Sequence, residues 1–251
     1  MKKSVWIFLL TISLQKISAQ DIEPIEPDRP DQTESPIIIP VQYFQMENGF
    51  AYLYNNRDNK AYTYPSSLMK YGIAKFIDLR VITGLVTTQL NDESTTGIVP
   101  LTVGFKLNFL KEKGIIPQTA FLAHLAFPTI ASEKYKATYY APSFKFAMQH
   151  TLSKKVSLGY NLGALWNGVT TKPIFLYTLT TGISLTKKLG SYIEVYGFAP
   201  KYETAQHSID TGLSYLVNNN ISLDISGGYR LTQNAPKYYI ALGFSFRVNT
   251  L

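Results

Sequence analysis

Between residues 236 and 248 the even positions carry Tyr238, Ile240, Leu242, Phe244, Phe246 and Val248, and the odd positions Lys237, Tyr239, Ala241, Gly243, Ser245 and Arg247. A period of two puts these sets on opposite faces of a β-strand, one apolar and one small or charged. The pattern recurs along the chain. A first strand is predicted over residues 41–54, with Phe44, Met46, Phe50 and Tyr52 facing one way and Gln45, Glu47, Gly49 and Ala51 the other. A second, over 61–73, is less regular because Pro65 lies inside it. Others fall at 76–89, 98–110, 118–128, 138–150, 155–167, 172–186, 191–201, 208–218 and 221–232. With 236–248 they make about twelve, an even count that fits a single-chain bacterial barrel.

The polar faces separate this reading from a soluble sandwich or lipocalin-like barrel. A soluble fold would solvate its second face with many charges, yet charged residues are only 16% of this chain. The polar faces are mostly Gly, Ser, Thr, Asn and Tyr. The apolar faces suit a lipid belt ~25 Å tall, and aromatic residues, at 14%, suit its girdles. The predicted fold is therefore all-β: a transmembrane antiparallel up-and-down β-barrel of the outer membrane. Its lumen or pore lining is predicted to include Gln45, Glu47, Lys70, Asp78, Arg80, Lys106, His124, Lys145, Asn161, Glu194, Asp210, Asp224 and Arg230. A three-residue turn at 73–75 would set Lys70 opposite Asp78 on the polar face. That register avoids roughly 2–4 kcal/mol for a basic residue facing lipid at midplane. Glu47, Lys70, Asp78 and Arg80 are expected to form one lumen cluster.

The start of the chain is a different matter. Residues 1–19 combine Lys2 and Lys3, a ten-residue, mostly apolar stretch and Ser18-Ala19, and read as a signal peptide. Residues 20–40 hold five prolines and show no strand or helix period. Within 20–36 six acids stand against Arg29 alone, a net −5, whereas 37–251 carry a net +9. Short, lysine-bearing turns alternate with longer connections, which puts both termini on the periplasmic side. The acidic segment is therefore expected to act as a periplasmic plug or lid, with Arg29 reaching a lumen acid such as Asp224. The alternative is a disordered tail.

The run Asp28-Arg29-Pro30-Asp31-Gln32-Thr33-Glu34-Ser35-Pro36, then Pro40, Gln45, Glu47, Gly49 and Phe50, resembles the opening of a Gram-negative outer-membrane family. That family is labelled transporter or MetA-pathway of phenol degradation. Pro65, Leu68-Met69, Lys70, Tyr71-Gly72 and Asp78-Leu79-Arg80 continue the likeness, with Lys70 and Asp78 as charge-preserving departures. The resemblance implies passage of small, aromatic or hydrophobic compounds.

The function expected is a narrow pore or facilitator for a small-molecule solute. The alternatives are a non-conducting accessory subunit of an outer-membrane complex and, more remotely, a lipid hydrolase. Against an enzyme, His207-Ser208 with Asp210 is the one His-Ser-acid cluster, and adjacent side chains on a strand face opposite ways. No thiol chemistry is available, since the chain has no cysteine. No metal or other cofactor is expected, and neither is nucleic acid. The expected surroundings are outer-membrane lipid and lipopolysaccharide, with protein partners left open.

Overall fold

The structure is a computed structural model that describes residues 22–251; the expected signal peptide lies outside them. Its strands are β1 (Tyr43–Asn56), β2 (Asn59–Ala74), β3 (Ile77–Leu90), β4 (Glu93–Ile98), β5 (Thr102–Leu110), β6 (Gln118–Ala126), β7 (Ala141–Thr151), β8 (Val156–Leu165), β9 (Ile174–Ser184), β10 (Leu189–Pro200), β11 (Gln206–Asn218), β12 (Ile221–Arg230) and β13 (Tyr238–Asn249). Each strand pairs antiparallel with its sequence neighbour, except that β3 pairs with both β4 and β5. β1 pairs with β13 from Tyr43 opposite Asn249 to Tyr54 opposite Tyr238, which closes the barrel. Closure leaves no ladder edge to lipid, the condition a spanning sheet has to meet.

Thirteen strands occupy twelve staves. Leu85 of β3 faces Ile98 of β4, and Ile82 of β3 faces Thr102 of β5, so β4 and β5 share one position in the ring. Pro100 lies in the break between them. Proline cannot donate to a ladder and ends pairing there. The stretch 91–97, expected as a loop, is thus mostly strand, while 127–140 is a loop with a single 3-10 turn, Glu133–Tyr135. Pro65 does not break β2. The strand runs through it with a register shift between Thr63 and Ser66, so the proline sits in a bulge.

One register differs from expectation. Lys70 lies opposite Arg80, not Asp78, and Gly72 lies opposite Asp78. A second irregularity, between Gly72 and Ala74, inserts the extra residue at Ile73. All three charged residues still point inward, because a slip of two positions preserves the face.

The outward face is a belt of exposed apolar side chains, among them Leu79, Phe146, Leu162, Phe175, Ile193, Ile225 and Leu242. Tyr54 and Tyr238 stack at 4.9 Å and Tyr52 lies 5.0 Å from Tyr62, forming part of an aromatic girdle at one end. Asn48 and Ser67 are polar exceptions on this face, and they satisfy each other by a 2.8 Å hydrogen bond. Both described termini lie at the end with the connections 75–76, 111–117, 152–155, 185–188 and 219–220, whereas the longest connection among the described strands, 127–140, lies at the other end. The end with the termini is the one expected to face the periplasm.

Candidate functional site: a lumen filled by the N-terminal segment

Residues 22–40 form no strand or helix, yet their contacts run deep into the barrel. Ile25 N–H donates to the Asn219 carbonyl in the β11–β12 turn, and Arg247 donates to the Glu23 carbonyl, marking the way in. The chain turns within residues 28–34. It returns along β5 and leaves where Tyr43 N–H donates to the Pro40 carbonyl, as β1 begins. Ile25 and Ile39, both buried, anchor the two limbs.

An irregular backbone away from bulk water needs partners for every polar group. The wall supplies them as side chains. Glu47 accepts from Asp28 N–H at 2.9 Å, Glu194 from Gln32 N–H at 2.7 Å and Asn161 from Glu34 N–H at 2.8 Å. In the other direction Lys106 donates to the Ser35 carbonyl at 2.7 Å, Asn108 to Pro36 at 2.8 Å and Asn161 to Glu34 at 3.0 Å.

Charge is matched on one side of the lumen. Asp28 meets Lys106 at 2.8 Å, Lys70 at 2.9 Å and the Arg80 guanidinium. Glu34 meets Lys145 at 2.9 Å and also Arg80. Glu47 pairs with Lys70, and Asp78 lies 3.4 Å from Arg80 Nε. Four cations therefore face two wall carboxylates, and the segment's Asp28 and Glu34 bring the cluster to balance. Burial opposes ionisation of both segment carboxyls. Lys106, Lys70 and Arg80 outweigh it at Asp28, Lys145 and Arg80 do so at Glu34, and both carboxyls lie well below the usual carboxylate range.

The opposite wall is acidic: Glu194, Asp210 and Asp224, from β10, β11 and β12, are all buried. Glu194 also accepts from the Thr33 hydroxyl, and Tyr239 donates to Asp210 at 2.5 Å. Arg29 turns to this side and pairs with Asp224 at 2.9 Å. Its guanidinium lies over Gly49 and Gly243, which are cross-strand partners; a Cβ on either would collide with it.

Arg29 and Pro30 also divide the remaining space. Toward the outer loops they border a cavity of about 360 Å³, walled by Leu53, Tyr196, Phe198, Pro236 and Tyr239 among others. Toward the periplasmic turns they border another of about 330 Å³, reaching Ser153 and Lys155.

Of the thirteen residues predicted to line the lumen, Gln45, Glu47, Lys70, Asp78, Arg80, Lys106, Lys145, Asn161, Glu194 and Asp224 join these networks or their direct partners. Asp210 belongs to the acidic wall. His124 packs over Gly104 with Nε2 buried and unbonded, and touches neither charge cluster by hydrogen bond. Arg230 stands at the outer rim, donating to the Gln233 carbonyl at 3.0 Å. Sequence reasoning did not find Thr178, which binds Thr33 at 2.6 Å, or the Gly49–Gly243 seat; only the pairing register brings these residues together. His207 bonds Tyr177 at 2.8 Å rather than Ser208 or Asp210.

The sequence model of a family described as "Putative MetA-pathway of phenol degradation" matches residues 27–248. No curated protein matches the chain. Among solved structures, the COG4313 outer membrane channel from Pseudomonas putida F1 is similar at a TM-score of 0.64 and 14% identity, covering 84% of this chain and 97% of that one. The KdgM porin is similar at 0.55 and 10% identity over 80% and 98%, and a further KdgM structure is a complex with disordered oligogalacturonate. The NanC porin follows at 0.54 and 10% identity over 82% and 100%. At such identities these likenesses speak for the fold.

Proposed function

The chain belongs to this MetA-pathway family, and from that premise we propose that it is a narrow outer-membrane pore for small molecules whose lumen is closed by its own residues 22–40. The observation that carries the reading is the kind of bonding that holds the segment. A stave joins its neighbours through a backbone ladder; residues 25–37 are held almost wholly by wall side chains. Side-chain contacts can be exchanged for water or solute without unzipping the sheet. A twelve-strand barrel is also wide enough to need filling: eight strands enclose packed side chains, and sixteen leave an aqueous channel.

Aromatic and apolar walls on the outer cavity support admission of small aromatic or apolar solutes, with Arg29 and Pro30 as the floor they meet. The names of the similar channels and porins support a transport role over an enzymatic one. An accessory, non-conducting role has no comparable feature behind it. Lipopolysaccharide and phospholipid are the surroundings the belt is built for, rather than substrates.

Swelling of liposomes carrying the protein tests this reading. Neutral solutes of glycerol size should enter faster than into protein-free liposomes, and a trisaccharide should not. Equal rates with and without protein, for the full chain and for Asp28→Asn alike, would sink the pore.

A further inference from the structure

The two charged walls stand across the lumen from one another. Counting β4 and β5 as one stave, Lys70, Arg80, Lys106 and Lys145 stand on the second, third, fourth and sixth of twelve, and Glu194, Asp210 and Asp224 on the ninth to eleventh. Lys106 and Asp210 are thus six staves apart, half the ring. With Asp28 and Glu34 withdrawn, an excess of cations on one wall and three carboxylates on the other put an electric field across the pore rather than along it. A field of this kind sorts solutes by how their charges are arranged, and not by net charge alone.

The segment shows what the field holds. Asp28 and Arg29 are adjacent, yet their side chains part: the carboxylate enters the nest of Lys70, Arg80 and Lys106, and the guanidinium goes to Asp224 over the glycine seat. An anion seat and a cation seat therefore lie within one dipeptide's reach. Both walls are buried, so each charge they bind is desolvated and has to be paired.

We infer that the lumen is selective for dipolar solutes carrying one anionic and one cationic group, and that Asp28-Arg29 is a built-in stand-in for such a solute, displaced when it binds. The inference rests on the pore reading above and adds a charge requirement to it: an aromatic or apolar body suits the outer cavity, and the two charged groups it carries take the two seats below. A molecule with a carboxylate alone fills one seat and leaves Arg29 on the other. A molecule with both groups competes for both at once, and its two contacts reinforce one another.

The test is single-channel recording of the full chain in planar bilayers with 4-guanidinobutyrate, butyrate or butylguanidinium in the outer compartment. The dipolar compound should raise open probability at concentrations about tenfold lower than either half-molecule. In Asp224→Asn, which keeps the anion nest, that advantage over butyrate should vanish; retention of the heat-modifiable gel shift confirms that the variant is a folded barrel. Equal potency of the three compounds in a protein that does open would overturn this inference and leave the pore standing. A protein that opens under no condition, even without residues 21–36, would remove both.

Discussion

Asp28 accepts from three cations at once, and with Glu34 it brings three buried basic side chains and the half-buried Lys145 into balance. Removing one partner of a buried ion pair typically costs about 3–5 kcal/mol, because the charges left behind stay desolvated. Asp28→Asn keeps the size and loses the charge, so it should release the segment. The same logic fixes the pH response. Asp28 and Glu34 hold protons more weakly when docked than when free, since Lys106, Lys70, Arg80 and Lys145 outweigh the effect of burial. Their contribution to docking is complete above the ordinary carboxylate range, about pH 4, and is lost as pH falls through the depressed values. Asp31 and Glu26 act the other way: burial raises both on docking, with Glu194 and Asp210 adding to it at Asp31, so docking tightens as pH falls toward that range. Open probability in planar bilayers should therefore fall from neutral pH toward about pH 4 and climb below it. In Asp28→Asn it should be high already at neutral pH. A wild-type rise centred near neutrality would mean that other groups control the segment.

At the scale of elements, all strands but β4 were legible because a period of two survives along most of their length, and lipid outside and water inside enforce it alike; β4, six residues expected within a loop, was not. What the period could not show is where it stumbles. The bulge at Ile73 sets Lys70 against Arg80, the one at Pro65 shifts the pairs beyond Ser66, and nothing local to residues 70–80 marks the extra residue. Charge opposition between residues 20–36 and the body was visible in the sequence, and so was Arg29 as a partner for Asp224. The seat beneath Arg29 was not, because Gly49 and Gly243 are nearly two hundred residues apart and meet only through closure of β1 on β13. That seat gives an element-level prediction. Gly243→Ala puts a methyl group 2.5 Å from both Arg29 Nε and Asp224 Oδ2, the two halves of that ion pair, while leaving the β1–β13 ladder intact. The barrel should keep its thermal unfolding midpoint, and a glutamate-specific protease should cut the segment after Glu34, ahead of Ser35, where it spares the wild type. A lowered midpoint with Glu34 still protected would show that the glycine serves the wall and not the segment.

At the scale of the molecule, the barrel has an apolar outside, a charged inside and a stretch of its own chain that completes the charge balance. Twelve staves make the lumen wide enough to need an occupant, and the occupant divides it at Arg29 and Pro30 into an outer and a periplasmic cavity. The central claim is that this occupant closes a pore. Single-channel recording of the mature protein beside the same protein lacking residues 21–36 tests it most directly. The shortened barrel is predicted to show a larger and more persistent unitary conductance than the full chain, which should open briefly and rarely. Identical conductance and open probability in the two proteins would contradict the account.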